Sequence, residues 1–186
     1  MLKIFKHPVL LETACGHDGS EKILKKLTDI AIAVRAKQIK YQLFNIEERA
    51  LPNTKEDKIF KPLCLEKKIW NKIIKYAKKN NLKVFADVYG NYSFNLATDN
   101  NIDGYKIHSE DFFNSYFIEK AINTKKPTLI NLGGTYKSEV FDLMNFLKKK
   151  KRLNKKIVLM HGVQTFPTPP EGHSLYEFNK LIQNYK

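Results

Sequence analysis

Short apolar runs alternate with amphipathic helical stretches along almost the whole chain, and this alternation limits the fold more than any single motif does. Pro8-Val9-Leu10-Leu11-Glu12 is mainly apolar and leads into a polar, glycine-bounded loop, after which Ser20 stands as an N-cap. Ile23, Leu24, Leu27, Ile30, Ala31 and Val34 then recur every three or four residues, which predicts a helix over 20–35. The same reading predicts strands over 38–44, 83–88, 104–108, 127–132 and 156–161. Helices are predicted over 66–80, 93–99, 114–124, 138–150 and 175–185. Only the charged stretch 45–65, holding Pro52 and Pro62, breaks the pattern; it reads as a long loop with one helical turn, of the kind that tends to be functional or mobile.

Repeated strand-then-helix units imply a parallel sheet with right-handed crossovers, either doubly wound or curved into a barrel. Polar residues end every predicted strand: Glu12, Lys40 with Gln42, Asp87, Lys106 with Ser109, Asn131 and His161. In a (β/α)8 TIM barrel that rim is the active-site face. A doubly wound sheet would gather its polar groups at one switch point, usually beside a Gly-rich first loop, which this chain lacks. A barrel of roughly 250 residues allots about 31 to each unit, so 186 residues hold six of its eight units. The expected architecture is a single partial TIM-barrel domain over 1–186.

Composition narrows the class. The net charge of +14 suggests a polyanion partner at first, yet only Arg35, Arg49 and Arg152 among the 33 cationic residues carry the guanidinium fork that favours phosphate and base recognition. The lysines are spread along the polar sides and ends of helical stretches, as on a solvated surface, so nucleic acid is not the expected partner. No apolar run reaches the roughly 20 residues of a membrane helix, and residues 1–8 lack the pattern of a signal peptide. Cys15 and Cys64 fit neither a zinc ribbon nor a disulfide scaffold and read as reduced thiols. A soluble, cytoplasmic protein is expected.

On the second strand, Lys40 and Gln42 alternate with Ile39, Tyr41 and Leu43, so an apolar face packs outward while an amine and an amide face the barrel interior. A buried amine needs an anionic partner, which a bound phosphate or carboxylate can provide. Lys106 repeats the pattern, and Ser109 lies just past its strand end with a hydroxyl to donate. Glu12 is a carboxylate directly after an apolar strand, placed either to bind a ligand at the rim or to stand as a surface acid. His161 follows Ile157-Val158-Leu159-Met160 and precedes Gly162, which leaves its imidazole room at the rim. His17, in a glycine-bounded loop, reads as a residue that orders that loop.

Four segments occur in order: Glu12-Thr13-Ala14-Cys15-Gly16-His17-Asp18-Gly19, Ile39-Lys40-Tyr41-Gln42, Tyr105-Lys106-Ile107-His108-Ser109, and Met160-His161-Gly162-Val163-Gln164-Thr165-Phe166-Pro167-Thr168-Pro169-Pro170-Glu171. Together they resemble the sialic acid synthase (N-acetylneuraminate synthase) family, from about Leu10 to the end of the chain. The resemblance implies a TIM barrel, usually followed by a small antifreeze-like domain that this sequence does not contain. It implies a transferase of nonulosonate biosynthesis that condenses phosphoenolpyruvate with an N-acylmannosamine-type sugar or its phosphate. A divalent metal, manganese or magnesium, and a homodimer of the full-length form come with it. By position, Lys40, Lys106 and Ser109 match the residues that hold phosphoenolpyruvate, and Glu12 and Gln42 match the sugar site. His161 matches one metal ligand. Glu12, Lys40 and Lys106 are the catalytic candidates, with Gln42, Ser109 and Asn131 as substrate-binding candidates.

The chain departs from the family pattern at Gly16, at Ala86-Asp87-Val88-Tyr89 in place of Ser-Thr-Pro-Phe, at Asn131-Leu132-Gly133 in place of Ser-Thr-Gly, and at Gly162. The alternative readings are a non-catalytic remnant or fragment of such a barrel, and a polyanion-binding module. In a complete version of the barrel, methionine at Lys40 or Lys106 is expected to abolish phosphoenolpyruvate binding and leave the fold intact. Six strands cannot close like eight, so the isolated chain is expected to be inactive and to associate through open sheet edges.

Overall fold

The computed structural model describes residues 9–150, 156–165 and 167–185; the segment 1–8, Arg152 and Phe166 lie outside them. Six strands form one parallel sheet in strictly sequential order. They are β1 (Leu11–Glu12), β2 (Gln38–Leu43), β3 (Lys83–Val88), β4 (Gly104–Ile107), β5 (Thr128–Asn131) and β6 (Ile157–Met160). A doubly wound sheet would reverse its order at a switch point; this sheet never does, so it is the curved wall of a barrel that stays open between β1 and β6 among the described residues.

The helices α1 (Glu21–Ala33), α3 (Lys67–Lys79), α4 (Asn91–Asp99), α5 (Ser115–Asn123), α6 (Lys137–Lys149) and α7 (Leu175–Asn184) each follow a strand or its loop. Their caps agree with the sequence: Ser20 Oγ accepts from the Ile23 N–H, and Asn114 Oδ1 accepts from that of Phe117. The 45–65 stretch is more ordered than a plain loop. It holds α2 (Lys55–Phe60), capped by Thr54, between two single turns of 3-10 helix. Arg49 from this stretch lies over the rings of Phe60 and Tyr89 and pairs with Glu110 at 2.7 Å, which fastens the segment across the rim. Glu48 accepts from the Tyr92 and Ser93 N–H groups, satisfying the start of α4.

Strand alternation sorts the side chains into two faces. Ile39, Tyr41, Leu43, Val84, Ala86, Tyr105, Ile107 and Ile130 join Trp70, Ile74, Phe94, Ile118 and Leu147 from the helices in one apolar core. Phe85 and Leu129, at the alternate positions, are buried outside that cluster, inside the barrel wall. Gly104 makes room there, because a Cβ would stand 2.1 Å from the Phe85 ring.

The first rim loop is equally tight. Gly19 has φ +70, and a Cβ there would lie 2.1 Å from the Pro62 carbonyl oxygen, a backbone atom that cannot swing away. Gly19→Ala is therefore expected to cost about 1–3 kcal/mol of stability. A urea melt with an unchanged midpoint would contradict that packing.

Candidate active site

The register brings Glu12 beside Lys40, Asp87 beside Gln42, and Asp87 beside Lys106. All five belong to the set of alternate positions that faces the barrel interior. Asp87, Lys40 and Lys106 are 0%, 2% and 6% exposed. The Lys40 ammonium donates to Asp87 Oδ2 at 2.8 Å and pairs with Glu12 Oε1 at 2.8 Å. Lys106 Nζ stands 3.0 Å from Asp87 Oδ1. Two buried cations and two carboxylates thus interlock across four consecutive strands.

The two lysines are not electrostatically alike. Burial pulls both ammonium groups toward the neutral form. At Lys40 the Asp87 and Glu12 carboxylates outweigh burial and raise its pKa above the ordinary lysine value. At Lys106 burial dominates, helped by the nearby Lys40 charge, and Asp87 does not fully offset them, so its pKa is lowered.

Gln42 continues the network, donating to Glu12 Oε1 at 3.3 Å and accepting from Cys15 Sγ at 3.2 Å. Burial raises the Cys15 thiol pKa and so disfavours the thiolate; both cysteines are free. Ser109 is buried just past β4, and its hydroxyl accepts from the Gln164 side chain, which ties the β4 and β6 ends of the rim together. His17 is wholly buried. Its Nδ1 accepts from the Gly19 N–H at 3.1 Å, its ring meets Trp70 edge-on, and burial lowers its pKa, so it orders the first loop as a neutral imidazole.

The remaining two candidates stand apart from the charge cluster. Asn131, at the end of β5, accepts from the Gly133 N–H at 2.9 Å and shapes its own turn. His161 follows β6; its Nε2 is buried with no hydrogen-bond partner, and its ring lies near Phe178. An orphaned imidazole nitrogen is a competent metal ligand. Among the described residues, however, no group of three or more His, Cys, Asp or Glu side chains is arranged to hold a metal ion, so these residues do not make a complete divalent site.

Sequence reasoning placed Asp87 on the rim but missed its role as the hinge of the network. The available signal was its alternation with Ala86 and Val88, which puts it on the Phe85 face of a strand between two lysine-bearing strands. The other lysines remain a dispersed surface: Lys25, Lys67, Lys72, Lys137 and Lys150 pair with Asp29, Asp99, Glu21, Glu177 and Glu119. A groove of about 610 Å³ between α3 and α4, lined by Lys67, Lys78 and Asp99 among others, opens on the outer helical face, away from these strand ends.

Comparison with known proteins decides the lineage. The profile of the NeuB family matches residues 27–186. This chain belongs to the NeuB family. N,N'-diacetyllegionaminic acid synthase of Campylobacter jejuni is 25% identical over 192 aligned positions, covering 96% of this chain and 58% of that protein. An uncharacterized protein of Methanocaldococcus jannaschii is 24% identical over 173 residues, 93% of this chain and 51% of that one. The structure of N-acetylneuraminic acid (sialic acid) synthetase from Leptospira borgpetersenii, in complex with citrate, superposes with a TM-score of 0.85 at 25% identity, over 95% of this chain and 61% of that chain. The expected family and the barrel-type fold both hold. This NeuB-family chain spans only about half to three fifths of the length of these relatives. No described helix is long and apolar enough to cross a membrane.

Proposed function

We propose that this NeuB-family chain carries the first six units of a nonulosonate synthase barrel, a cytoplasmic transferase whose rim takes phosphoenolpyruvate and an N-acylmannosamine-type sugar or its phosphate. One observation carries the reading: two nearly inaccessible ammonium groups, Lys40 and Lys106, stand together on the interior face of β2 and β4 beside Glu12 and Gln42. Cations held in a partly dry site act on a bound anion far more strongly than surface lysines do.

In the proposed reaction C3 of phosphoenolpyruvate attacks the aldehyde carbon of the sugar, water adds at C2, and inorganic phosphate leaves. Lys40 and Lys106 hold the phosphate and carboxylate and offset the charge that shifts between them, with Ser109 donating its hydroxyl hydrogen. Glu12 and Gln42 orient the sugar hydroxyls, and Asn131 fixes the turn beside the substrate. His161 offers one ligand to a manganese or magnesium ion. The described residues do not complete that site. The full-length form is proposed to work as a homodimer.

The test is a phosphoenolpyruvate titration of the 186-residue chain followed by its melting temperature. A saturable rise is expected in the wild type, and none in Lys106→Met, since losing one buried cation from a phosphate typically lowers affinity about thirtyfold or more. A wild-type melt that phosphoenolpyruvate leaves unmoved, or a Lys106→Met chain that responds like wild type, overturns the assignment.

A further inference from the structure

Asp87 sits where the two lysines converge, and its two carboxylate oxygens are divided between them: Oδ2 to Lys40 at 2.8 Å, Oδ1 to Lys106 at 3.0 Å. With Glu12 also on Lys40, the four side chains balance in charge. The two contacts differ in quality. Lys40 holds two carboxylates at 2.8 Å, those of Asp87 and Glu12, whereas Lys106 has Asp87 Oδ1 alone, at 3.0 Å. An incoming anion therefore gains most at Lys106 and must approach a fully buried carboxylate to do so.

We infer that Asp87 is the specificity-determining residue of this rim: an internal carboxylate that holds the shared anion position of Lys40 and Lys106 and that a ligand phosphate must displace. The inference rests on the reading that the lysine pair is the anion site. Repulsion between Asp87 and the ligand grows with ligand charge, because Coulomb energy scales with the product of the charges. The device thus lowers affinity most for phosphate-bearing ligands, phosphoenolpyruvate included, which bind only by displacing Asp87 from Lys106, and least for a monoanionic carboxylate. Lys106, with half a carboxylate to itself, is the cation released to the ligand, while Lys40 stays anchored by Glu12.

The experiment compares wild type with Asp87→Asn, which keeps shape and removes the charge, by calorimetric titration with phosphoenolpyruvate, inorganic phosphate and acetate. Asp87→Asn is expected to bind phosphoenolpyruvate and phosphate at least about tenfold more tightly than wild type, with a smaller gain for acetate. That result supports the inference even if wild-type binding is too weak to detect, in which case the proposed substrate fails and the internal competitor stands. Wild-type binding that is unchanged or weakened in Asp87→Asn, or an equal gain for acetate, overturns the inference and leaves the proposed function standing. Binding in neither protein overturns both. Where Asp87→Asn is unfolded in chloride buffer, refolding in phosphate is the same displacement read as stability, and failure of phosphate to restore the fold overturns it.

Discussion

Lys40→Met is expected to lower the stability of the chain by about 3–5 kcal/mol, a larger loss than Lys106→Met causes. The reason lies in what each substitution leaves behind. Without Lys40, the wholly buried Asp87 keeps only its looser contact to Lys106, and Glu12 loses its ion-pair partner. Breaking a buried pair from one side is costly because Asp87 cannot reach water and is left with Lys106 as its one ion-pair partner. Without Lys106, Asp87 retains its hydrogen bond from Lys40. This departs from the sequence-based expectation, made for a complete barrel, that a methionine at Lys40 leaves the fold intact, because the lysine already has two carboxylate partners within the chain. Urea denaturation measures the difference, and the double variant Lys40→Met, Asp87→Asn should recover part of the loss through coupling. Equal midpoints for wild type and Lys40→Met would mean the pair contributes nothing net.

The second large effect concerns association. β1 and β6 each have one sheet neighbour among the described strands, so each has a flank of backbone N–H and C=O groups without a ladder partner there. β6 is only half-buried, and α7 behind it exposes Leu175, Tyr176, Phe178 and Ile182. A strand edge beside an apolar helix face is a template for another chain. The 186-residue chain, prepared alone, is expected to sediment as a concentration-dependent mixture of oligomers and to show no synthase turnover. A monodisperse monomer over a wide concentration range, with a cooperative melt and measurable turnover, would refute this.

How much was readable beforehand depended on whether the cause was local. Strand β3 and helix α7 fall where apolar spacing and turn residues put them, because period and capping are properties of neighbouring residues. The polar strand ends were legible for the same reason: Lys40 and Gln42 must share a face if Ile39, Tyr41 and Leu43 share the other. Partnership was not legible. Lys40 and Asp87 are 47 residues apart, and nothing in either segment states that a barrel wall brings them to 2.8 Å. Sidedness showed that a buried amine needed an anion but could not show that the anion was already in the chain. The 45–65 stretch was underestimated because a helix as short as α2 carries too few turns for its periodicity to stand out.

Strictly sequential strand order also bears on how the molecule is made. Among the described strands every sheet contact joins a strand to the next one in the chain, so each of these units can dock as soon as it is complete, without waiting for distant sequence. Glu12, Lys40, Asp87 and Lys106 come from the first four strands alone. The charge cluster can therefore assemble while the later units are still being synthesised, and the rest of the barrel is laid down against a floor whose electrostatics are already settled.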